Sequence, residues 1–143
     1  MAAAEQLYRE FLNINRQNPG NEENSRTMLT GLAEVMLAQE RGADAEPLAL
    51  EALRLSEKTH ASVWAAQVLL GSALVERAAF LEAEPLLLTS YKTISDDLTI
   101  SAKSKQKVLQ RVIGLYEAWE KASPNRGKAA EAARWRALLH PAP

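Results

Sequence analysis

The tetrapeptide Ala-Glu-Pro-Leu occurs twice in this chain, at Ala45–Leu48 and again at Ala83–Leu86. Leu32 and Leu70 each lie 13 residues before one of the copies, and each is followed directly by a small residue. A further large apolar residue comes four positions after each Leu. The similarity therefore extends over two apolar segments joined by a short break, and a period of this size is typical of stacked helical repeats.

Apolar residues recur at helical spacing in seven segments, which are separated by breaks rich in Gly, Pro, Asn and Asp. No segment alternates apolar and polar residues over a useful length, so we expect an all-α fold without strands. The first helix carries Leu7, Phe11 and Ile14 as its apolar stripe. We predict a left-handed cap at Gly42 and Asp44 as the N-cap of the third helix. The predicted helices are about 2–16, 25–40, 44–58, 62 to a break at 78–81, 82–95, 102–122 and 128–139.

The bulk composition predicts one domain over 1–143 that stays in the cytoplasm. The chain has 143 residues and no Cys, so it has no disulfide and no thiolate site. No apolar run approaches the ~18 residues of a membrane span, and the first residues lack the basic and apolar regions of a signal peptide. We therefore expect a soluble chain without a membrane partner.

Charge is distributed unevenly along the chain. Residues 1–100 hold 8 basic and 15 acidic side chains, a net charge of −7, whereas residues 101–143 hold 9 basic and 3 acidic ones, a net charge of +6. The basic end would attract an anionic partner or the acidic body of a second copy. The alternative is that the two ends pair within one fold or are solvated.

Residues with catalytic or metal-binding potential are few and scattered. The two His residues, His60 and His140, lie far apart and both read as surface residues. The chain has no phosphate-binding loop, no nucleophile elbow and no His pair at metal-binding spacing. The sequence therefore predicts a protein that is not an enzyme, with no cofactor, no catalytic residue and no metal site.

The middle repeat resembles the tetratricopeptide repeat, a helix–turn–helix of about 34 residues. It reads Leu70-Gly71-x-x-Leu74 and then Phe80, Ala83 and Leu87. The preceding repeat reads Leu32-Ala33-x-x-Met36 and then Gly42, Ala45 and Ala49, and the following one reads Val112-Ile113-x-x-Tyr116 and then Ala129 and Ala133. The longer periods and the Ala-Glu-Pro-Leu run are similar to the kinesin-light-chain-like variant of the family.

This resemblance implies an α-α superhelix, or solenoid, of three helical hairpins at about 25–58, 62–95 and 102–139. The helix at 2–16 would be an orphan helix B, whose helix A either lies upstream in a longer protein or is missing because the orphan caps the stack.

In the family, ligands lie in the concave groove formed by helix A of each repeat. The resemblance therefore implies a groove that binds a protein or peptide partner. The family's carboxylate-clamp members need Lys, Asn and Arg at several of these positions, which are small, apolar or acidic here. We expect an apolar or amphipathic segment in the groove, or else another part of the parent protein or a second copy. The implied groove residues are Thr27, Thr30, Glu34, Leu37, Ala65, Val68, Ser72, Val75, Glu76, Lys107, Gln110, Gly114 and Glu117.

A basic stripe on the sixth helix is a candidate anion patch. Lys103, Lys107 and Arg111 share one face at i, i+4, i+8 spacing, and Lys105, Arg126 and Lys128 would extend it. The stripe is either a solvated face or a site for an acidic partner. Nucleic acid is excluded as a partner because interleaved aromatic residues and a strongly basic domain are both missing.

Four interpretations of function follow, and the last of them, a small helical enzyme or cofactor binder, is disfavoured by the lack of catalytic motifs. The first is a non-catalytic scaffold module for protein–protein interaction. The second is a regulatory fragment of a larger bacterial protein, because Leu115–Lys121 followed by Lys128–Leu139 is similar to the last repeat of arrays attached to bacterial serine/threonine protein kinases. The third is a self-association module that joins an acidic body to a basic end.

Overall fold

The computed structural model describes residues 2–18 and 20–139, and those residues form an all-α structure without strands. The predicted all-α class is thereby confirmed for these residues. His140 lies outside the described residues. The helices within these ranges are α1 (Ala2–Arg16), α2 (Glu22–Ala38), α3 (Gly42–Lys58), α4 (Trp64–Glu76), α5 (Phe80–Ser95), α6 (Ala102–Ala122) and α7 (Lys128–Leu139).

Each helix packs against the next one in the sequence. In addition, α2 contacts α4 and α4 contacts α6. Among the described residues, no Cα atom of α3 comes within 8 Å of a Cα atom of α1 or α5, and α5 and α7 are separated in the same way. The even-numbered helices therefore lie side by side, with α4 in the centre, and the backbones of the odd-numbered helices are farther apart.

Equivalent positions of the recurring segments are buried in the main core. Leu32 and Val112 are fully buried, and Ala45 and Ala83 are also completely inaccessible to solvent. These small Ala side chains let α3 and α5 approach the even-numbered helices closely. The core thus depends on the positions that the sequence comparison singles out.

The helix α1 packs through a different face from the one its apolar stripe suggests. Leu7, Phe11 and Ile14 are 53%, 46% and 55% exposed, whereas Leu12 is buried against α2 and α3. The reason is that α1 packs by its backbone on α2 alone, so its wide apolar surface is covered on one side only. An ion pair of 2.7 Å between Glu5 and Arg41 also holds this helix in place.

The predicted caps at the start of α3 are wrong. Gly42 lies inside α3, whose N-cap is Arg41, and Asp44 is in the first turn. The left-handed residue is Glu40, with φ of 56°. The Arg41 N–H donates to the carbonyl of Met36 at 2.8 Å, which is the Schellman arrangement that closes a helix. The predicted starts of α2, α3 and α5 are two to three residues late, and at α3 and α5 the reason is that Arg41 and Ala79 are not typical N-cap residues.

The same closure recurs at the end of α4. Ala78 has φ of 61°, and the Ala79 N–H donates to the carbonyl of Leu74 at 2.9 Å. His60, after α3, is the third left-handed residue of this type, with φ of 56°. None of these positions is Gly, so each one carries the steric cost of a left-handed L-residue.

The last hairpin departs from the predicted register. Ala129 and Ala133 are exposed, and Ala132 is the buried Ala of α7. The cause is an extension of α6, which has 21 residues against 17 in α2 and 13 in α4. The extra turn and the longer loop before α7 rotate a different Ala into the seam.

Candidate functional site

A cleft of ≈ 400 Å³ lies where the three adjacent even-numbered helices meet. We call it the central cleft. Its position follows from the packing, since α2, α4 and α6 are neighbours on one side of the molecule. The lining residues are Glu34 and Ala38 of α2, Trp64, Ala65, Val68 and Leu69 of α4, and Ser104, Lys107, Val108 and Arg111 of α6.

The floor of the central cleft is apolar and belongs to α4. Val68 and Leu69 are 9% and 6% exposed, and the half-buried Trp64 packs against the main core. The helices α2, α3, α5 and α6 all contact α4, which fits its apolar side chains around the whole circumference. The floor is therefore backed by neighbouring helices, and the partly exposed Trp64 also lines the cleft.

The walls of the central cleft carry opposite charges. Lys107 and Arg111 lie four residues apart on α6 and are both exposed, while Glu34 of α2 is exposed on the other side. Within the described part of the chain, none of the three takes part in an ion pair. A segment that entered the cleft would be oriented by this pattern, because its acidic side chains would face α6.

The structure brings four of the groove residues implied by the resemblance into the central cleft: Glu34, Ala65, Val68 and Lys107. The remaining nine do not line it. Leu37 and Ser72 are buried. The Ser72 hydroxyl donates to the Val68 carbonyl at 2.7 Å, so it is already engaged within α4.

Several of the implied groove residues outside the cleft make hydrogen bonds or ion pairs within the fold. The Thr27 and Thr30 hydroxyls donate to backbone carbonyls of α2, at 3.0 Å and 2.9 Å. Glu76 accepts a hydrogen bond of 3.2 Å from the Gly42 N–H and so satisfies the start of α3. Glu117 lies 3.7 Å from Arg136 and links α6 to α7. Val75, Gln110 and Gly114 lie outside the cleft as well.

The candidate anion patch is divided between two places. Lys107 and Arg111 line the central cleft, and Lys103 does not. Arg126 and Lys128 line a separate cleft near the turn between α6 and α7. Lys107 and Arg111 are thus the two residues of the stripe on α6 that line the central cleft together with apolar side chains.

The separate cleft is larger, at ≈ 620 Å³, but its aromatic side chains already contact one another and Lys128. The rings of Phe80 and Trp119 stack with centroids 5.4 Å apart. The Lys128 ammonium lies 3.8 Å from the Trp119 centroid, close enough for a cation–π interaction. An incoming group would have to displace Lys128, so we favour the central cleft as the candidate site.

A buried tyrosine anchors this aromatic group. Tyr116 is 2% exposed, and its hydroxyl donates to a Glu84 carboxylate oxygen at 2.7 Å. Burial raises the pKa of the Tyr116 hydroxyl well above its usual range, and the Glu84 carboxylate raises it further. The hydrogen bond ties α6 to α5 and serves no identifiable chemistry.

The cleft residues that sequence reasoning did not identify include Trp64, Leu69 and Ser104. The signal that could have identified Trp64 is its place at the first turn of the most apolar helix. The other two lie one residue or one turn from implied groove positions. The implied groove positions assume the same spacing in every repeat, whereas α2, α4 and α6 differ in length.

The described residues include no group of three or more Asp, Glu or His side chains arranged to hold a metal ion. No helix in the ranges described is both long and apolar enough to span a membrane. No protein-family model matches the chain, and comparisons with curated proteins and with solved structures give no match.

Proposed function

We propose that this chain is a tetratricopeptide-like stack of helical hairpins that binds a segment of a partner protein in the central cleft. Two packing features support the stack. The even-numbered helices contact one another, whereas the described parts of α3 and α5 do not, so the stack would curve toward the even-numbered side. The turns after α2 and α4 have the same left-handed closure, at Glu40 and Ala78.

The proposed interaction rests on one observation: exposed cations without ion pairs border an apolar floor in a concave surface. Lys107 and Arg111 would meet acidic side chains, and Trp64, Val68 and Leu69 would hold an apolar one. Charge complementarity supplies orientation, while burial of the apolar group supplies most of the affinity. The partner segment is therefore amphipathic and acidic, and binding requires no catalytic group.

A peptide-display experiment tests this proposal. A random peptide library is selected against the wild-type chain, and enriched peptides are measured by fluorescence anisotropy at low protein concentration. We expect them to carry a large apolar residue flanked by Asp or Glu. The double change Lys107→Glu and Arg111→Glu should weaken binding about tenfold or more, since two favourable contacts become repulsive.

The matched control makes the same charge change away from the cleft and the anion patch. Lys92→Glu together with Lys121→Glu alters two exposed residues that do not line the central cleft. We expect this variant to retain wild-type affinity. Equal binding by the cleft variant and the wild type would place the site elsewhere and refute the proposal.

A further inference from the structure

The loop between α5 and α6 presents a projecting apolar side chain. Leu98 is 97% exposed, the most exposed of the large apolar residues in the described ranges. Asp96 and Asp97 precede it, and both are exposed. We call these three residues the acidic knob.

The acidic knob is held in place by its own hydrogen bonds. An Asp97 carboxylate oxygen accepts from the Thr99 N–H at 2.8 Å and from the Thr99 hydroxyl at 2.6 Å. The Ile100 N–H donates to the Asp97 carbonyl at 3.3 Å. The hydrogen bonds from Thr99 also lower the pKa of the Asp97 carboxyl, so its charge persists in mild acid. Such a loop loses little conformational entropy on binding.

The chemistry of the acidic knob matches that of the central cleft. The knob offers one apolar side chain beside two carboxylates, and the cleft offers an apolar floor beside Lys107 and Arg111. The knob and the cleft also lie close together along the chain, because Ser104 of the cleft is in the first turn of α6, directly after the loop. A closed two-fold interface requires that both complementary parts lie on one surface, which their closeness along the chain favours.

From this match we propose that two copies of the chain associate about a two-fold axis, each inserting its acidic knob into the central cleft of the other. The inference rests on the proposed function, because it uses the same cleft. The inference adds a form of regulation to that function, because a partner segment and a second copy compete for one site. Dimerisation therefore inhibits partner binding.

Charge exchange tests the pairing directly. Sedimentation velocity over a range of concentrations should show a dimer of the wild type. Leu98→Ser, Asp96→Lys and the double change Lys107→Glu with Arg111→Glu should each raise the dimer dissociation constant at least tenfold. Mixing the Asp96→Lys variant with the double cleft variant should restore a one-to-one dimer, because the unchanged knob of the second variant meets the unchanged cleft of the first, and the cation introduced at position 96 meets the carboxylates introduced in the other cleft.

The changed side chains are all exposed, and circular dichroism verifies that the variants fold. Lys92→Glu with Lys121→Glu is the control, and it should dimerise like the wild type. A wild-type chain that sediments as a monomer at every concentration would overturn the inference, as would a mixture without heterodimers. Fluorescence anisotropy at low protein concentration measures peptide binding to the cleft of the monomer and does not require a dimer, so failure of this inference and failure of the proposed function are distinguishable.

Discussion

The close approach of α4 and α5 can be tested by adding a single methyl group at Gly71. A Cβ atom at this position would lie 2.8 Å from Cγ and 3.0 Å from Cδ2 of Leu87, and 3.5 Å from the Ala83 carbonyl oxygen. Leu87 is completely buried, so its branch point has no free space to move into. Overpacking of this kind costs about 1–3 kcal/mol. The variant Gly71→Ala should therefore be destabilised, although Ala favours a helix by about 1 kcal/mol over Gly.

Gly114→Ala provides the matched control. Gly114 lies within α6, and a Cβ atom there would meet nothing within 4 Å. This variant should gain about 0.5–1 kcal/mol in the free energy of unfolding, because only the helix-propensity effect remains. The difference between the two variants isolates the packing cost at Gly71, about 1–3 kcal/mol.

Urea denaturation monitored by circular dichroism measures both free energies of unfolding, and an unchanged m-value shows that the comparison is valid. A double-mutant cycle with Leu87→Ala then assigns the cost, since removing the Leu87 side chain should relieve most of the strain from Gly71→Ala. If Gly71→Ala is as stable as Gly114→Ala, the reasoning about this seam is refuted.

Three further predictions concern turns and ionisation. Ala78→Gly should stabilise the chain by about 1 kcal/mol in urea denaturation because it removes a left-handed L-residue, and a loss of stability would contradict this. Because the folded pKa of Tyr116 is raised above the unfolded value of about 10, its contribution to stability is complete below that pH and declines above it. Between pH 9 and pH 11, the free energy of unfolding from urea denaturation should decline less for Tyr116→Phe than for the wild type. Equal declines would argue against this role of Tyr116. Arg41, and then Arg9, lower the pKa of Glu5 below 4.5, so stability present above 4.5 is lost as the pH falls through the folded pKa. The protection factors of the α1 amides, which correct for the intrinsic pH dependence of hydrogen exchange, should fall there, and a fall of equal size in Glu5→Gln would refute the role of Glu5.

The sequence predicts the helices well because they depend on local signals. Apolar periodicity and Pro- or Gly-containing breaks place α1, α6 and α7 at their observed bounds. The starts of α3 and α5 are harder to predict from the sequence, since the turns before them place Glu40 and Ala78 in left-handed conformations. Neither residue type favours that conformation, so the turn is determined by tertiary packing rather than by local preference.

The buried face of α1 could not be read from its periodicity alone. Leu7 and Leu12 belong to one wide apolar surface, and both satisfy a helical pattern. Only the position of α2 decides that Leu12 is buried while Leu7 remains exposed. Amphipathicity therefore identifies the helix but leaves the packed face undetermined when a helix has partners on one side.

The central cleft was partly predictable because its residues belong to three adjacent helices with recurring apolar spacing, but its shape depends on the packing of the helices behind it. The floor residues Val68 and Leu69 lie on α4, whose separation from α5 is limited by Gly71 and Leu87. The opposite wall lies on α6, which also packs against α5. A methyl group at Gly71 would push α4 away from α5 and so displace the floor relative to Lys107 and Arg111. Gly71→Ala should consequently weaken peptide binding even though no residue of the cleft has changed, whereas a purely local site would retain its affinity.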